Sequence, residues 1–253
     1  MSNTPVVIRP VDIASADGVI DGWWLHPLGA GPWPAVIVHT DIKGVRPAFE
    51  ETARRLAALG HAVLLPNLYH RALRITDIDP SLSLHDEAQR AQLGKLRESV
   101  STDGTHRDHV ALLDWLDHQP EVRGGAIGIV GYCMSGAIAL RTAADFPDRV
   151  VAAASFHGGR LASDDADGPH LRASAIRARL VLGYARQDKS MPDERIAQLE
   201  AALTSAGVAF TSDHHDALHG FAVSDKPEYS AAATELHWKR LQDLFAATLG
   251  AAR

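Results

Sequence analysis

The chain contains little cysteine, no excess of basic residues and no long apolar run, and each shortage excludes a class of protein. One cysteine among 253 residues cannot form an intrachain disulfide, which favours a reducing compartment. The 25 Lys and Arg are interspersed with 31 Asp and Glu, for a formal net charge of −6, so no basic surface for nucleic acid is expected. No apolar run approaches the roughly 18 residues that a membrane span needs.

The first ten residues, MSNTPVVIRP, show no charged region followed by an apolar core, so no signal peptide is expected. We therefore predict a cytoplasmic protein whose partner is neither a nucleic acid nor a membrane. No pattern in the sequence specifies an oligomeric state.

Hydrophobic residues make up 46% of the chain, and they fall into strand-like runs that alternate with helical patterns. Two β-rich runs around Ala16-Asp17-Gly18 predict an N-terminal antiparallel hairpin. Later runs such as PAVIVHT (34–40) and RLVLGYA (179–185) are continuously apolar, as in parallel sheets buried on both faces. The pattern predicts an α/β fold with a doubly wound, mostly parallel sheet and helices on both faces. We expect a single domain over 1–253, with a helical excursion around 70–105.

In such folds the ligands bind outside the carboxyl ends of the strands. Four predicted loops leave the sheet on that side, and they contain the chemically active side chains. Their sequences are Asp41-Ile42-Lys43-Gly44, Cys133-Met134-Ser135-Gly136, Arg186-Gln187-Asp188 and Asp216-Ala217-Leu218-His219.

The stretch GIVGYCMSGAIAL places the single cysteine, Cys133, between a strand and a helix. A nucleophile on such a tight turn requires small residues two positions before and after it, and Gly131 and Ser135 meet that requirement. The start of the helix also favours a thiolate over a thiol, because backbone N–H groups point toward it. The alternative is a small buried structural cysteine.

Asp188 and His219 follow Cys133 in the order nucleophile, acid, histidine that this kind of turn uses. His219 would exchange protons with the thiol, and Asp188 would orient its imidazole. The N–H of Met134 and that of Ile42 are predicted to form the oxyanion hole. Two alternatives remain open: Asp216 as the acid, and a metal site that uses the four-residue spacing of His215 and His219.

The motifs GYCMSG, GYARQDKSMP, HGFA and DIKG, together with PNLYHR, resemble those of the dienelactone hydrolase family of α/β-hydrolases, over roughly residues 5 to 245. The resemblance implies a triad of Cys133, Asp188 and His219, an oxyanion hole at Ile42 and Met134, and no metal or organic cofactor. It also implies a small-molecule substrate, a lactone or simple ester. With Cys133 as the nucleophile, we expect cleavage through a thioester intermediate.

The chain departs from the family pattern near the predicted site. Asp41 stands where members commonly carry glutamate, and Val223 stands where members that act on carboxylated lactones carry arginine. Arg71 is a candidate for binding an anionic group, with a salt bridge as the alternative, and His157 is a candidate for lining the pocket. The departures favour a neutral or differently shaped ester over dienelactone itself.

A hypothesis from another class is a non-enzymatic protein with the same fold, in which Cys133 serves as a redox-sensing thiol. The acid and histidine in the expected order favour the enzyme, because a sensor needs neither. Hydrolysis of phosphoesters is a third hypothesis, since an oxyanion hole can also hold a phosphoryl oxygen, but no motif in the sequence promotes it.

Overall fold

The computed structural model describes residues 4–250, and these fall into two compact units divided in sequence after Gly124. Each unit combines strands with helices, and parallel strand pairs predominate among them. This confirms the predicted α/β fold class. The single-domain organisation stays a prediction.

The first unit contains four of the described strands, and their spatial order is β1-β2-β4-β3. Their bounds are β1 Val6–Ser15, β2 Gly18–Pro27, β3 Trp33–His39 and β4 Ala62–Pro66. β1 and β2 form an antiparallel hairpin along their whole length, as predicted, and β2 is also antiparallel to β4. Gly18 follows the turn with φ 119°, a conformation that glycine adopts without a steric penalty. β3 and β4 are parallel.

The helices of the first unit are α1 Pro47–Ala58, α2 Glu87–Glu98 and α3 Thr102–Asp117. α2 lies within the predicted excursion, and the Asp86 carboxylate caps it by accepting the Gln89 N–H. α3 begins at Thr102, where the Ser101 hydroxyl caps it by accepting the Gly104 N–H.

The second unit contains strands β5 to β8, adjacent in chain order and parallel to one another. Their bounds are β5 Val122–Tyr132, which begins just before the division, β6 Val150–Phe156, β7 Arg179–Ala185 and β8 Phe210–His215. The helices are α4 Met134–Asp145, α5 Asp193–Ser205 and α6 Ala231–Thr248. α6 begins directly after Ser230, whose hydroxyl caps it by accepting the Ala233 N–H.

The carboxyl ends of these four parallel strands bring chemically active side chains to one edge of the second unit. Cys133 follows β5, His157 follows β6, Asp188 follows β7, and His219 lies in the turn after β8. β6 and β7 are almost entirely buried and rich in Ala, Val and Leu, so this edge rests on a packed core. Within residues 4–250, no helix combines the length and the apolar character required to cross a bilayer.

Candidate active site

Cys133 occupies a strained turn between β5 and α4. Its backbone has φ 57° and ψ −120°, in a region that residues other than glycine rarely adopt. The turn is so tight that a Cβ at Gly131 would lie 2.1 Å from the carbonyl oxygen of Ser135. This explains why glycine is required two positions before the cysteine, and the geometry is that of the predicted nucleophile turn.

Ser135, predicted only to be small, fastens this turn through its side chain. Its hydroxyl accepts the N–H of Tyr132 at 2.8 Å and donates to the carbonyl of the same residue at 3.0 Å. The residue is fully buried. The hydroxyl therefore satisfies buried backbone groups at the end of β5, a role that composition alone did not reveal.

The backbone of Cys133 is also held by the loop after β6. The Cys133 N–H donates to the Phe156 carbonyl, and the Gly159 N–H donates to the Cys133 carbonyl, both at 3.2 Å. Strained conformations persist where the surroundings over-determine them, and they concentrate at functional sites.

His219 bridges Cys133 and Asp188. Its Nε2 lies 3.0 Å from the Cys133 Sγ, and its Nδ1 donates to the Asp188 Oδ2 at 2.6 Å. The side chain of His219 is 29% exposed, whereas that of Asp188 is 5% exposed. Asp216, the alternative acid, is exposed and pairs with Arg186 at 3.5 Å. The structure thus brings together the three residues that the motif order predicted.

His219 and Asp188, which share the 2.6 Å hydrogen bond, both favour their charged forms. Burial lowers the pKa of His219, but the hydrogen bonds to Asp188 and Cys133 and their charges outweigh it and raise that pKa to about 10. Burial acts in the opposite direction on Asp188 and raises its pKa, but the hydrogen bonds from His219 and Ser190 outweigh burial, so the pKa of Asp188 is lowered overall. At neutral pH the site therefore holds a protonated imidazole beside a carboxylate.

Ser190 is a further site residue that the sequence reasoning missed. Its hydroxyl donates to the Asp188 Oδ1 at 2.6 Å, and its N–H donates to the same oxygen at 2.8 Å. An aspartate that accepts the N–H of the residue two positions on forms a common turn. The spacing in DKS was the signal that could have identified it.

His157, the candidate for lining the pocket, lies against the imidazole of His219. Its ring centre is 5.1 Å from that of His219 and 5.3 Å from that of Phe221. It is fully buried and has φ 39°, a second unusual backbone conformation at this edge. Phe221, also fully buried, was not predicted at the site.

Asp41 and Ile42 lie in the first unit, in the loop after β3. The buried Asp41 carboxylate accepts two hydrogen bonds from Arg46, at 2.7 and 3.0 Å, and one from the Lys43 N–H. The Tyr69 hydroxyl donates to the Ile42 carbonyl at 2.7 Å. These bonds fix the peptide groups of the predicted oxyanion loop.

Arg71, also in the first unit, forms salt bridges, which was the alternative to its binding an anionic group of the substrate. Its guanidinium lies 2.6 Å from an oxygen of Asp17 and 2.7 Å from one of Asp108. Its side chain is 18% exposed.

The described residues, 4–250, include no group of three or more His, Cys, Asp or Glu side chains that could hold a metal ion. His215 belongs to β8, and its ring stacks on Phe221 at a centroid distance of 4.3 Å. His215 and His219 therefore do not share a helix face, the geometry on which the metal alternative depended. The absence of a metal or cofactor from the reaction stays a prediction.

Comparison with known proteins identifies the family to which this chain belongs. The model of the dienelactone hydrolase family matches residues 20–249. A carboxymethylenebutenolidase of Rhodococcus opacus is 30% identical over 219 residues, covering 85% of this chain and 81% of that protein. One of Pseudomonas putida is 28% identical over 237 residues, with 93% and 95% covered.

The fold is shared with solved structures along almost the whole chain. A Klebsiella pneumoniae protein assigned to the dienelactone hydrolases superposes with a TM-score of 0.84 at 25% identity, covering 96% of this chain and 99% of that one. The protein is thus an α/β-hydrolase in its fold. It belongs to the dienelactone hydrolase family. The predicted family and the predicted enzyme class, a hydrolase of lactones or carboxylic esters, are confirmed.

Proposed function

We propose that this enzyme cleaves a small lactone or carboxylic ester through a triad of Cys133, His219 and Asp188, with a thioester intermediate. The observation that carries the proposal is the position of His219, whose two ring nitrogens contact the Cys133 sulfur at 3.0 Å and the Asp188 carboxylate at 2.6 Å. A nucleophile, a base in contact with it and a group that orients the base constitute the requirement for covalent catalysis.

In the first half of the reaction the Cys133 sulfur attacks the carbonyl carbon of the ester. The proton that the sulfur gives up resides on His219, because the pKa of that imidazole is raised to about 10. The negative charge that develops on the carbonyl oxygen is stabilised by the N–H of Met134, the first residue of α4, where the helix dipole is positive. The sequence assigns the second N–H to Ile42.

In the second half the tetrahedral adduct collapses, the C–O bond breaks, and His219 gives its proton to the departing alkoxide. The product is a thioester on Cys133 and a neutral imidazole. That imidazole takes a proton from water as the water oxygen attacks the thioester carbonyl. The second tetrahedral adduct collapses, the C–S bond breaks, and the carboxylic acid product leaves. The sulfur keeps the electron pair of that bond beside the protonated His219, which is the state from which the reaction began.

The substrate class follows from the family together with one departure from its pattern. The relatives named above carry the name carboxymethylenebutenolidase, which supports a lactone substrate. Val223, where members that act on carboxylated lactones carry arginine, is 3% exposed and brings no positive charge. We therefore favour a neutral or differently shaped ester.

Burst kinetics on a short-chain nitrophenyl ester test the proposal. Wild type should release one equivalent of nitrophenol per active site and then turn over steadily, whereas Cys133→Ala should lose both phases. His219→Ala should be nearly as damaging, because the triad acts as a unit. His214→Ala, which removes an exposed histidine nearby, should leave the kinetics unchanged.

If Cys133→Ala retained full turnover, covalent thiol catalysis would be refuted. If wild type hydrolysed no ester or lactone but formed a sulfenate at Cys133 with dilute peroxide, the redox-sensor hypothesis would replace the proposal.

A further inference from the structure

The Asp188 carboxylate is held on both of its oxygens. Oδ2 accepts the hydrogen bond from His219, while Oδ1 accepts two from Ser190, the hydroxyl at 2.6 Å and the N–H at 2.8 Å. A carboxylate bound through one oxygen can rotate about its Cβ–Cγ bond. Two donors on the other oxygen fix the plane of the group and therefore aim Oδ2 at the imidazole.

Ser190 also contacts the loop that supports the nucleophile. Its carbonyl accepts the N–H of Arg160 at 3.0 Å. The preceding residue, Gly159, donates its own N–H to the Cys133 carbonyl at 3.2 Å. A Cβ on Gly159 would lie 3.0 Å from the Ser190 hydroxyl oxygen, so this approach depends on a residue without a side chain.

From these contacts we propose that Ser190 is a positioning residue of the triad: it aims the Asp188 carboxylate at His219 and couples the loop of the acid to the loop that holds Cys133. The inference rests on the proposed function, because it concerns the same triad. It assigns to this chain a fourth residue, outside the predicted set, on which the geometry of the hydrogen bond between the acid and the imidazole depends.

Ser190 acts through Asp188 and does not touch the reacting atoms. Its hydroxyl oxygen lies 3.4 Å from the His219 Nδ1, but the hydrogen on that nitrogen points to Asp188 at 2.6 Å. Ser190 is exposed, so water replaces part of what its hydroxyl supplies when it is removed. We therefore expect a moderate effect, smaller than that of removing the carboxylate itself.

Ser190→Ala and Ser190→Thr test the proposal, with Ser205→Ala, an exposed serine at the end of α5, as the matched control. Removing the hydroxyl should lower kcat/KM on a nitrophenyl ester about tenfold, mostly through kcat. Ser190→Thr keeps the hydroxyl and should stay within about twofold of wild type. Ser205→Ala should behave as wild type.

The pH profile separates positioning from a merely structural role. The groups around the His219 ring are the Cys133 sulfur, the Asp188 carboxylate and the His157 ring. With the carboxylate less well aimed, the imidazolium is less stabilised, so the basic limb of kcat/KM should move to lower pH by about half a unit in Ser190→Ala. The rate at which iodoacetamide alkylates Cys133 should show the same displacement, because loss of the imidazolium proton changes the reactivity of the sulfur.

The alkylation readout does not need ester turnover, so the two proposals can fail separately. If Cys133→Ala kept its esterase activity, the proposed function would fail, while the alkylation profiles would still decide the role of Ser190. An unchanged basic limb in a folded Ser190→Ala, whatever its rate, would overturn the inference. If Ser190→Ala does not fold, Gly159→Ala serves as the second variant, because it displaces the Ser190 hydroxyl without removing it. The inference then requires that Gly159→Ala also move the basic limb of kcat/KM to lower pH.

Discussion

Replacing the Asp188 carboxylate by an amide is the most direct probe of the electrostatics of the site. Asp188→Asn keeps the shape of the side chain but removes its charge, and the amide can turn an N–H toward His219. In the wild type the imidazole is partly buried, which lowers its pKa, but its hydrogen bonds to Asp188 and Cys133 raise the pKa to about 10. The variant loses the first of these two upward contributions.

The size of the effect follows from the difference between about 10 and the ordinary value of 6.5. One pH unit corresponds to about 1.4 kcal/mol, so the net stabilisation of the imidazolium is on the order of 5 kcal/mol. The hydrogen bond to Asp188 is the largest single cause that raises the pKa. We expect its removal to lower the pKa of His219 by roughly two units, equivalent to about 3 kcal/mol. The rate kcat should fall on the order of 10³-fold or more, as expected when the orienting carboxylate of a triad becomes an amide.

The pH dependence of stability has a definite sign. Because the pKa of His219 is higher in the folded state than in the unfolded chain, protonation of His219 stabilises the fold fully below about pH 6.5. That stabilisation is lost as the pH rises through about 10. The free energy of unfolding of the wild type should therefore decline between these two values, and that of Asp188→Asn should decline less.

Urea denaturation across this pH range and the pH profile of kcat/KM provide the two measurements. Asp216→Asn is the matched control, since Asp216 is an exposed carboxylate in the loop before His219. If Asp188→Asn kept the basic limb of the wild type, or if Asp216→Asn moved it equally, the assignment of Asp188 as the partner of His219 would be refuted.

Two further substitutions test the turn and the ion-pair cluster. Gly131→Ala places a Cβ 2.1 Å from the Ser135 carbonyl oxygen, so the turn must open. We expect the free energy of unfolding, measured by urea denaturation, to fall by more than about 2 kcal/mol, and the burst of nitrophenol to be almost lost. A stable, fully active variant would contradict the tight turn. Arg71→Ala removes one guanidinium from Asp17, which keeps its ion pair with Arg107. It also removes the arginine from the largely buried Asp108, which keeps its contact with His70. It should cost about 2 kcal/mol of stability, mostly through Asp108, while kcat/KM on a neutral ester stays within about twofold. A rise in KM confined to carboxylated lactones would instead establish Arg71 as a substrate anchor.

The sequence predicted the elements whose signals are local. Continuous apolar runs predicted the parallel strands, and GYCMSG predicted a strand, a turn and a helix, because only a small residue fits where Gly131 lies. The order of Cys133, Asp188 and His219 favoured Asp188 as the acid but left Asp216 open, and it is the 2.6 Å contact between His219 and Asp188 that distinguishes the two carboxylates. Apolar runs do not locate an element end that a single hydroxyl cap decides, as Ser230 does for α6.

The parts of the site that were not predicted depend on contacts between distant segments. The Ser135 hydroxyl bonds to a residue three positions away, yet its value depends on the burial of Tyr132, which only the packed sheet establishes. Phe221 becomes a neighbour of His157 only through the pairing of strands, since the two are far apart in sequence. Such contacts have no short-range signature for pattern reasoning to detect.

In the proposed mechanism the same imidazole must first give a proton and then take one, and the arrangement of its partners explains how. Before the attack, both Asp188 and the Cys133 sulfur hold the proton on His219. Once the sulfur carries an acyl group it is neutral, so one of the two groups that raise the pKa is gone while the burial that lowers it remains. The proton is therefore held less strongly once the acyl group is in place, so the imidazole that has given its proton to the alkoxide stays neutral and is free to act as the base toward water. Asp188 is then the hydrogen-bond partner that keeps the ring oriented, so under the proposals made above the loss of the Ser190 hydroxyl should slow the second half of the cycle more than the first.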